Sequence, residues 1–173
     1  MIDLVTPVLD TRMRGLCARA YPGHPRGCPN LGKRSACPPL APLFADVYDL
    51  SQPVYAIYTR FDLGAHVAAM RAKHPAWTER QLYNCLYWQG TARVALREEI
   101  ERFYQTVQTR GFHVTACPEA MGVNVTETMR GIGVELQWPP RDYTVHVALA
   151  GMRTHASTEQ ASGPLTLRLL DVI

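Results

Sequence analysis

The chain has 173 residues, 47% hydrophobic and 19% charged, and its 18 basic against 15 acidic residues leave a net charge of +3. That length holds one domain with a real core, and the balance is too mild to indicate nucleic acid. No apolar run is long enough to span a bilayer, and the N-terminal MIDLVTPVLD lacks the basic start of a secretory signal. A cytoplasmic protein is therefore expected, in which five cysteines point to a metal or to catalysis rather than to disulfides.

In chain order, residues 11–43 stand apart, because they hold six of the 13 prolines, four of the 12 glycines and three of the five cysteines. Such composition sustains neither helix nor strand, and a structureless stretch of about thirty residues inside a domain is usually functional or held by something. An α/β core over 54–150 follows. Val54–Phe61 is rich in β-branched and aromatic side chains and predicts a strand. Ala65–Lys73 predicts a short helix ended by His74-Pro75. Thr78 and Gln81 form a capping box that opens one long amphipathic helix to about Arg110, where Gly111 stops it. Phe112–Ala116 reads as a strand, Asn124 as the cap of a helix through Arg130, and Val134–Trp138 and Tyr143–Ala150 as two more strands around Pro139-Pro140. Residues 164–173 read as an edge strand or a docking tail. The expected fold is one small α/β domain, 1–173, with a mixed sheet, one long helix and an N-terminal Cys/Pro-rich metal-binding loop.

Cys17, Cys28 and Cys37 are separated by ten and eight residues, and Cys117 lies far downstream. Cys28, Cys37 and Cys117 are each followed by proline, as a cluster ligand is in bacterial ferredoxins. Structural zinc sites use Cys-x-x-Cys knuckles, and this chain has none. Iron–sulfur clusters take thiolates from separated loops, so a [4Fe-4S] cluster is the leading expectation and zinc the alternative. Lys33 and Arg34, with Arg14 and Arg26, flank the cysteines and are expected to lower thiolate pKa values and offset an anionic cluster.

These residues carry a resemblance. Cys17, then Gly27-Cys28-Pro29-Asn30-Leu31-Gly32-Lys33, then Cys37-Pro38-Pro39 resembles the signature of a family of metal-binding, iron–sulfur-type proteins of unknown function, which reads Cys, Gly-Cys-Pro-x-Tyr-Gly-Lys, Cys-Pro-Pro. Glu119-Ala120-Met121-Gly122-Val123-Asn124-Val125 is similar to its later Glu-Ala-x-Gly-Ile-Asp-Val segment. The resemblance implies a metal site at the N-terminal cysteines and a closing strand at 143–149. There are two departures: the Cys17–Cys28 interval is longer, and the ferredoxin-like cysteine run of longer members is missing before Glu119. At most one cluster is implied.

Cys117 is expected as the fourth ligand, or as a residue beside an open iron. Glu119 is the candidate for acid–base work next to it. Cys85 shares a predicted helix face with Leu82, Leu86 and Leu96 and reads as a buried structural thiol. Arg93 and Arg97 share a face; they can line a pocket or hold a phosphate, and Arg97 can instead pair with Glu101. His24 lies between ligands. No P-loop, dinucleotide fingerprint, nucleophile elbow or zinc-protease motif is present. Three functions stay open: a non-redox iron–sulfur enzyme on a small molecule or modified base, a structural module whose metal pins the loop, and an electron carrier. A protein partner or a second copy would dock through the C-terminal tail.

Overall fold

The computed structural model describes residues 1–21, 24–106 and 111–154. Among the described residues, four strands form one sheet: β1 (Ile2–Val5), β2 (Val54–Asp62), β3 (Phe112–Thr115) and β4 (Tyr143–Met152), in the order β1-β2-β4-β3. β2 and β4 are the central pair, in register from Tyr55 opposite Ala150 to Asp62 opposite Tyr143. Both faces of their middles are covered, and so their apolar residues run on without alternation.

One face carries α4 (Gln89–Thr106). Leu96 and Phe103 on this helix bury against Ile57, Ala148 and Ala150, where two alanines let the helix lie close to the sheet. The other face carries α1 (Phe44–Val47) and α5 (Val125–Arg130). There Phe44, Tyr48, Met121, Val123 and Met129 pack on Val54, Ala56, Val147 and Leu149. A third cluster gathers at one end of the α4 face. It contains Leu63 and Val67 of α2 (Leu63–Lys73), Leu82 of α3 (Glu79–Leu82), and Cys85, Trp88 and Ala92.

The single α/β domain is as expected, but the sheet is not mixed: every pairing is antiparallel. β2 and β3 do run parallel, yet β4 inserts between them, which makes a split β-α-β unit. The core also begins earlier than residue 54, because β1 adds an edge strand with Ile2 opposite Ile57.

The long helix expected over 78–110 is broken. Thr78 and Gln81 do form the capping box. Asn84 then turns to φ −66°, ψ 120°, and its side chain accepts the Leu86 N–H at 3.1 Å, which starts a 3-10 helix at Cys85–Tyr87 before α4 begins. This break swings Leu86 out to 65% exposure while Cys85 goes in. Residues 107–110 lie outside the described residues. The Arg97–Glu101 pair is not among the ion pairs of the described residues; on α4 Glu99 binds Arg102 at 2.7 Å and also the N-terminal ammonium.

Val134–Trp138 is not a strand. Ile132, Val134 and Leu136 pack on the core with strand-like alternation, but the Val134 N–H returns to the Met129 carbonyl at 3.0 Å. The Gln137 side chain then accepts from the N–H groups of Arg141, Asp142 and Tyr143. Alternation here buries one face with no ladder to join. The tail at 164–173 lies outside the described residues.

Candidate metal centre

The loop over 11–43 is tied to the core by its backbone. The Asp10 N–H donates to the Gly122 carbonyl at 2.7 Å, and the Asn124 N–H to the Val8 carbonyl at 2.7 Å. The Val8 N–H donates to the Thr128 hydroxyl at 2.9 Å. Asp10 also caps a 3-10 helix, Thr11–Ala18, which carries Cys17. This helix lies against a second 3-10 helix, Pro118–Met121, whose cap residue is Cys117. The N-terminal cysteines and the distant Cys117 are thus brought to one place by packing.

Within the loop, the Cys28 N–H donates to the Cys17 carbonyl at 2.8 Å. Gly27 makes that approach possible: its φ is +80°, and a Cβ there would meet the Cys17 carbonyl oxygen at 2.8 Å. The Gly32 N–H donates to the Pro38 carbonyl at 2.9 Å and closes the interval between Cys28 and Cys37. Arg14 clasps the far side, donating to the carbonyls of Pro39 and Ala41 at 3.0 and 2.8 Å. Each Cys-Pro step opens a turn that returns to its own cysteine. Leu31 donates to Cys28 at 3.1 Å, Ala41 to Cys37 at 2.9 Å and Ala120 to Cys117 at 3.1 Å. Proline after the cysteine presets φ for such a turn.

All five thiols are free; Cys17, Cys28 and Cys37 are half-buried, Cys85 is buried and Cys117 is exposed. Burial raises the Cys17 pKa first, then the charges of Cys28, Cys37 and Glu119. Cys117 is pushed up to about 11 by loss of solvation, then by Glu119, Cys37 and Cys17. Burial likewise raises the Glu119 carboxyl. Burial thus disfavours the charged forms of Cys17, Cys117 and Glu119. The cation already among them is Arg93, which opposes the upward shifts of Cys117, Cys85 and Tyr21. Lys33 and Arg34 are exposed, and neither is a cause of the shifts at Cys17 or Cys117. The expected lowering of thiolate pKa values by the flanking basic residues is thus reversed at these two cysteines: burial wins over charges that point to solvent.

Among the described residues, no three His, Cys, Asp or Glu side chains stand close enough to hold one metal ion. A tetrahedral zinc needs its donors drawn around one centre. A four-iron cluster instead takes one thiolate per iron, so its ligands sit further apart.

Sequence reasoning placed Cys85 correctly as buried, packed with Leu82, Trp88 and Ala92. No helix among the described residues is long and apolar enough to cross a membrane. No family model, no curated protein and no solved structure matches the chain.

Proposed function

We propose that this chain is an iron–sulfur protein that holds one [4Fe-4S] cluster through Cys17, Cys28 and Cys37, with Cys117 as the fourth ligand. One observation carries the reading: Cys17 and Cys117 sit on abutting 3-10 helices and feel each other's charge and that of Cys37, although about a hundred residues separate them. Three of the four cysteines also open a Cys-Pro turn whose N–H returns to the cysteine's own carbonyl. A bound cluster would supply positive iron to the thiolates and either a Lewis acid or an electron site. The five free thiols suit a reducing compartment such as the cytoplasm. A partner docked through residues 164–173 remains part of the reading without a described surface.

A second reading rests on exposure. Cys117 is the exposed cysteine and has Glu119 beside it. It would then line a pocket next to an open iron, with Glu119 as acid or base.

Anaerobic purification with iron, sulfide and zinc assays and EPR tests the proposal. Matching iron and sulfide with a cluster signal is expected; zinc alone, or no metal after reconstitution, overturns it. Cys117→Ala separates the two readings. Loss of iron or a labile three-iron form marks a ligand, and unchanged iron and EPR mark a pocket residue. Cys85→Ala should retain the cluster in either case.

A further inference from the structure

A cavity of about 440 Å³ opens on the protein, and no cysteine lines it. Its size is that of a small-molecule site. Its floor is one end of the sheet, on the face that carries α5. There Val145 stands directly opposite Arg60, and Tyr143 is the diagonal neighbour of Arg60. Tyr58 precedes Arg60 by two residues on β2 and so shares its face. Gly133, Val134 and Glu135 supply the wall, because the Val134 N–H returns to the Met129 carbonyl and brings the chain back against the sheet. Met1 completes the lining.

Most polar groups of this lining are already engaged. The Tyr143 hydroxyl donates to the Glu135 carbonyl at 3.2 Å, and the Tyr58 hydroxyl to the Asp3 carboxylate at 2.8 Å. The Met1 ammonium binds the Tyr58 carbonyl and the Glu99 carboxylate. Arg60 differs. Its guanidinium carbon sits 3.9 Å from the centre of the Tyr143 ring, a cation–π stack that orients the fork and leaves its N–H groups open. Arg60 belongs to none of the ion pairs of the described residues, whereas carboxylates hold Arg12, Arg71, Arg102 and Arg130. Val134, Val145 and the two tyrosine rings give the same cavity apolar walls.

We propose that this cavity binds a small monocarboxylate with an apolar body, its carboxylate on the Arg60 fork and its body against Tyr58, Tyr143 and the two valines. The guanidinium matches a carboxylate with two parallel N–H donors. The apolar body gains by leaving water for the valine and tyrosine walls. Aryl and acyl acids share this chemistry. A dianion is disfavoured, because the Met1 ammonium is already matched by Glu99 and Glu135 adds a negative charge to the lining. The site uses no metal, so it stands or falls separately from the cluster.

The test is an NMR titration of the isotope-labelled full chain with benzoate, hexanoate, acetate, benzamide and phenyl phosphate at constant ionic strength. Benzoate or hexanoate should give saturable shifts of the Arg60 Nε–H and of the Val134 and Val145 methyls, and the tighter of the two names the aryl or acyl source. Acetate, which lacks the body, and benzamide, which lacks the charge, should bind at least about tenfold more weakly. R60M should weaken the better acid by at least about tenfold, and R60K by less. Y143F should titrate like the parent, since that hydroxyl is engaged elsewhere, while Y143L removes the ring under the guanidinium and should weaken binding. R60M should keep the parent's iron and sulfide content, so failure here and failure of the cluster are read separately. No saturable shift with either acid overturns the proposal, as does an R60M protein that titrates like the parent, or benzamide that binds as tightly as benzoate. Tighter binding of phenyl phosphate overturns the assignment to monocarboxylates. Should R60M fail to fold, R60K and the benzamide comparison decide.

Discussion

At the scale of the residue, Gly27 and Gly32 separate two effects that the signature Gly-Cys-Pro…Gly-Lys merges. Both have positive φ, +80° and +71°. A Cβ on Gly27 would run into the Cys17 carbonyl oxygen at 2.8 Å and the Ala18 carbonyl at 2.9 Å, whereas a Cβ on Gly32 meets nothing within 4 Å. Gly32→Ala should cost roughly 1 kcal/mol, the left-handed penalty alone. Gly27→Ala adds a backbone collision and should cost more, about 2–3 kcal/mol, at the Cys17–Cys28 junction. Limited proteolysis at residues 11–43 and iron retention measure both; equal behaviour of the two variants would show that the close approach is not needed. The thiols teach a related lesson. Basic residues near a cysteine in sequence say little about its pKa when, like Lys33 and Arg34, they face solvent.

At the scale of the element, α4 covers one face of the sheet, and Phe103 holds it there. Phe103 is fully buried, with its ring 5.9 Å from both Tyr55 and Phe112. It therefore joins the helix to β2 and β3 at once. Phe103→Ala should destabilise the protein by roughly 3–5 kcal/mol, read as a lower urea midpoint with an unchanged slope; a loss under about 1 kcal/mol would mean that the helix is held elsewhere. The same helix shows why a periodic pattern misleads. The apolar spacing from Leu82 to Leu96 suits one long helix, but a single Asn84 side chain bonding ahead to Leu86 ends α3 and re-phases everything after it. Val134–Leu136 errs in the opposite sense: alternation is present, and the ladder is not, and the Val134 N–H bonds back to Met129 of α5.

At the scale of the whole molecule, His113 links the sheet to the layer beneath it and makes stability depend on pH. Its Nδ1 meets the Tyr48 hydroxyl at 2.8 Å, and burial, helped by Arg153, lowers its pKa from 6.5 to about 4. The unfolded chain therefore binds a proton near pH 6.5 that the folded protein refuses until about pH 4. Stability is complete above that window, falls as pH drops through it, and levels off below. Burial lowers the pKa values of His66 and His146 too, and Arg93 adds to the effect at His146, so both reinforce the slope. His113→Gln should flatten the loss of stability between about pH 6.5 and 4 in urea titrations, while leaving the region above pH 7 little changed. An identical slope in the variant would assign the dependence to other groups.

The sequence by itself determined the elements whose cause is local. The strand at β2, the helix at α2, the Thr78–Gln81 box, the Asn124 cap and the turns after each Cys-Pro all follow from propensity, capping and proline geometry within a few residues. It also marked Cys17, Cys28, Cys37 and Cys117 as a set, because their composition and proline neighbours repeat. Only the tertiary structure decided what depends on long-range pairing. β4 enters between β2 and β3, and the four-residue β1 finds an edge. Thr11–Ala18 comes to lie on Pro118–Met121. The sheet order and this helix contact join segments far apart in the chain, and their stability comes from packing and burial that no local window of sequence contains.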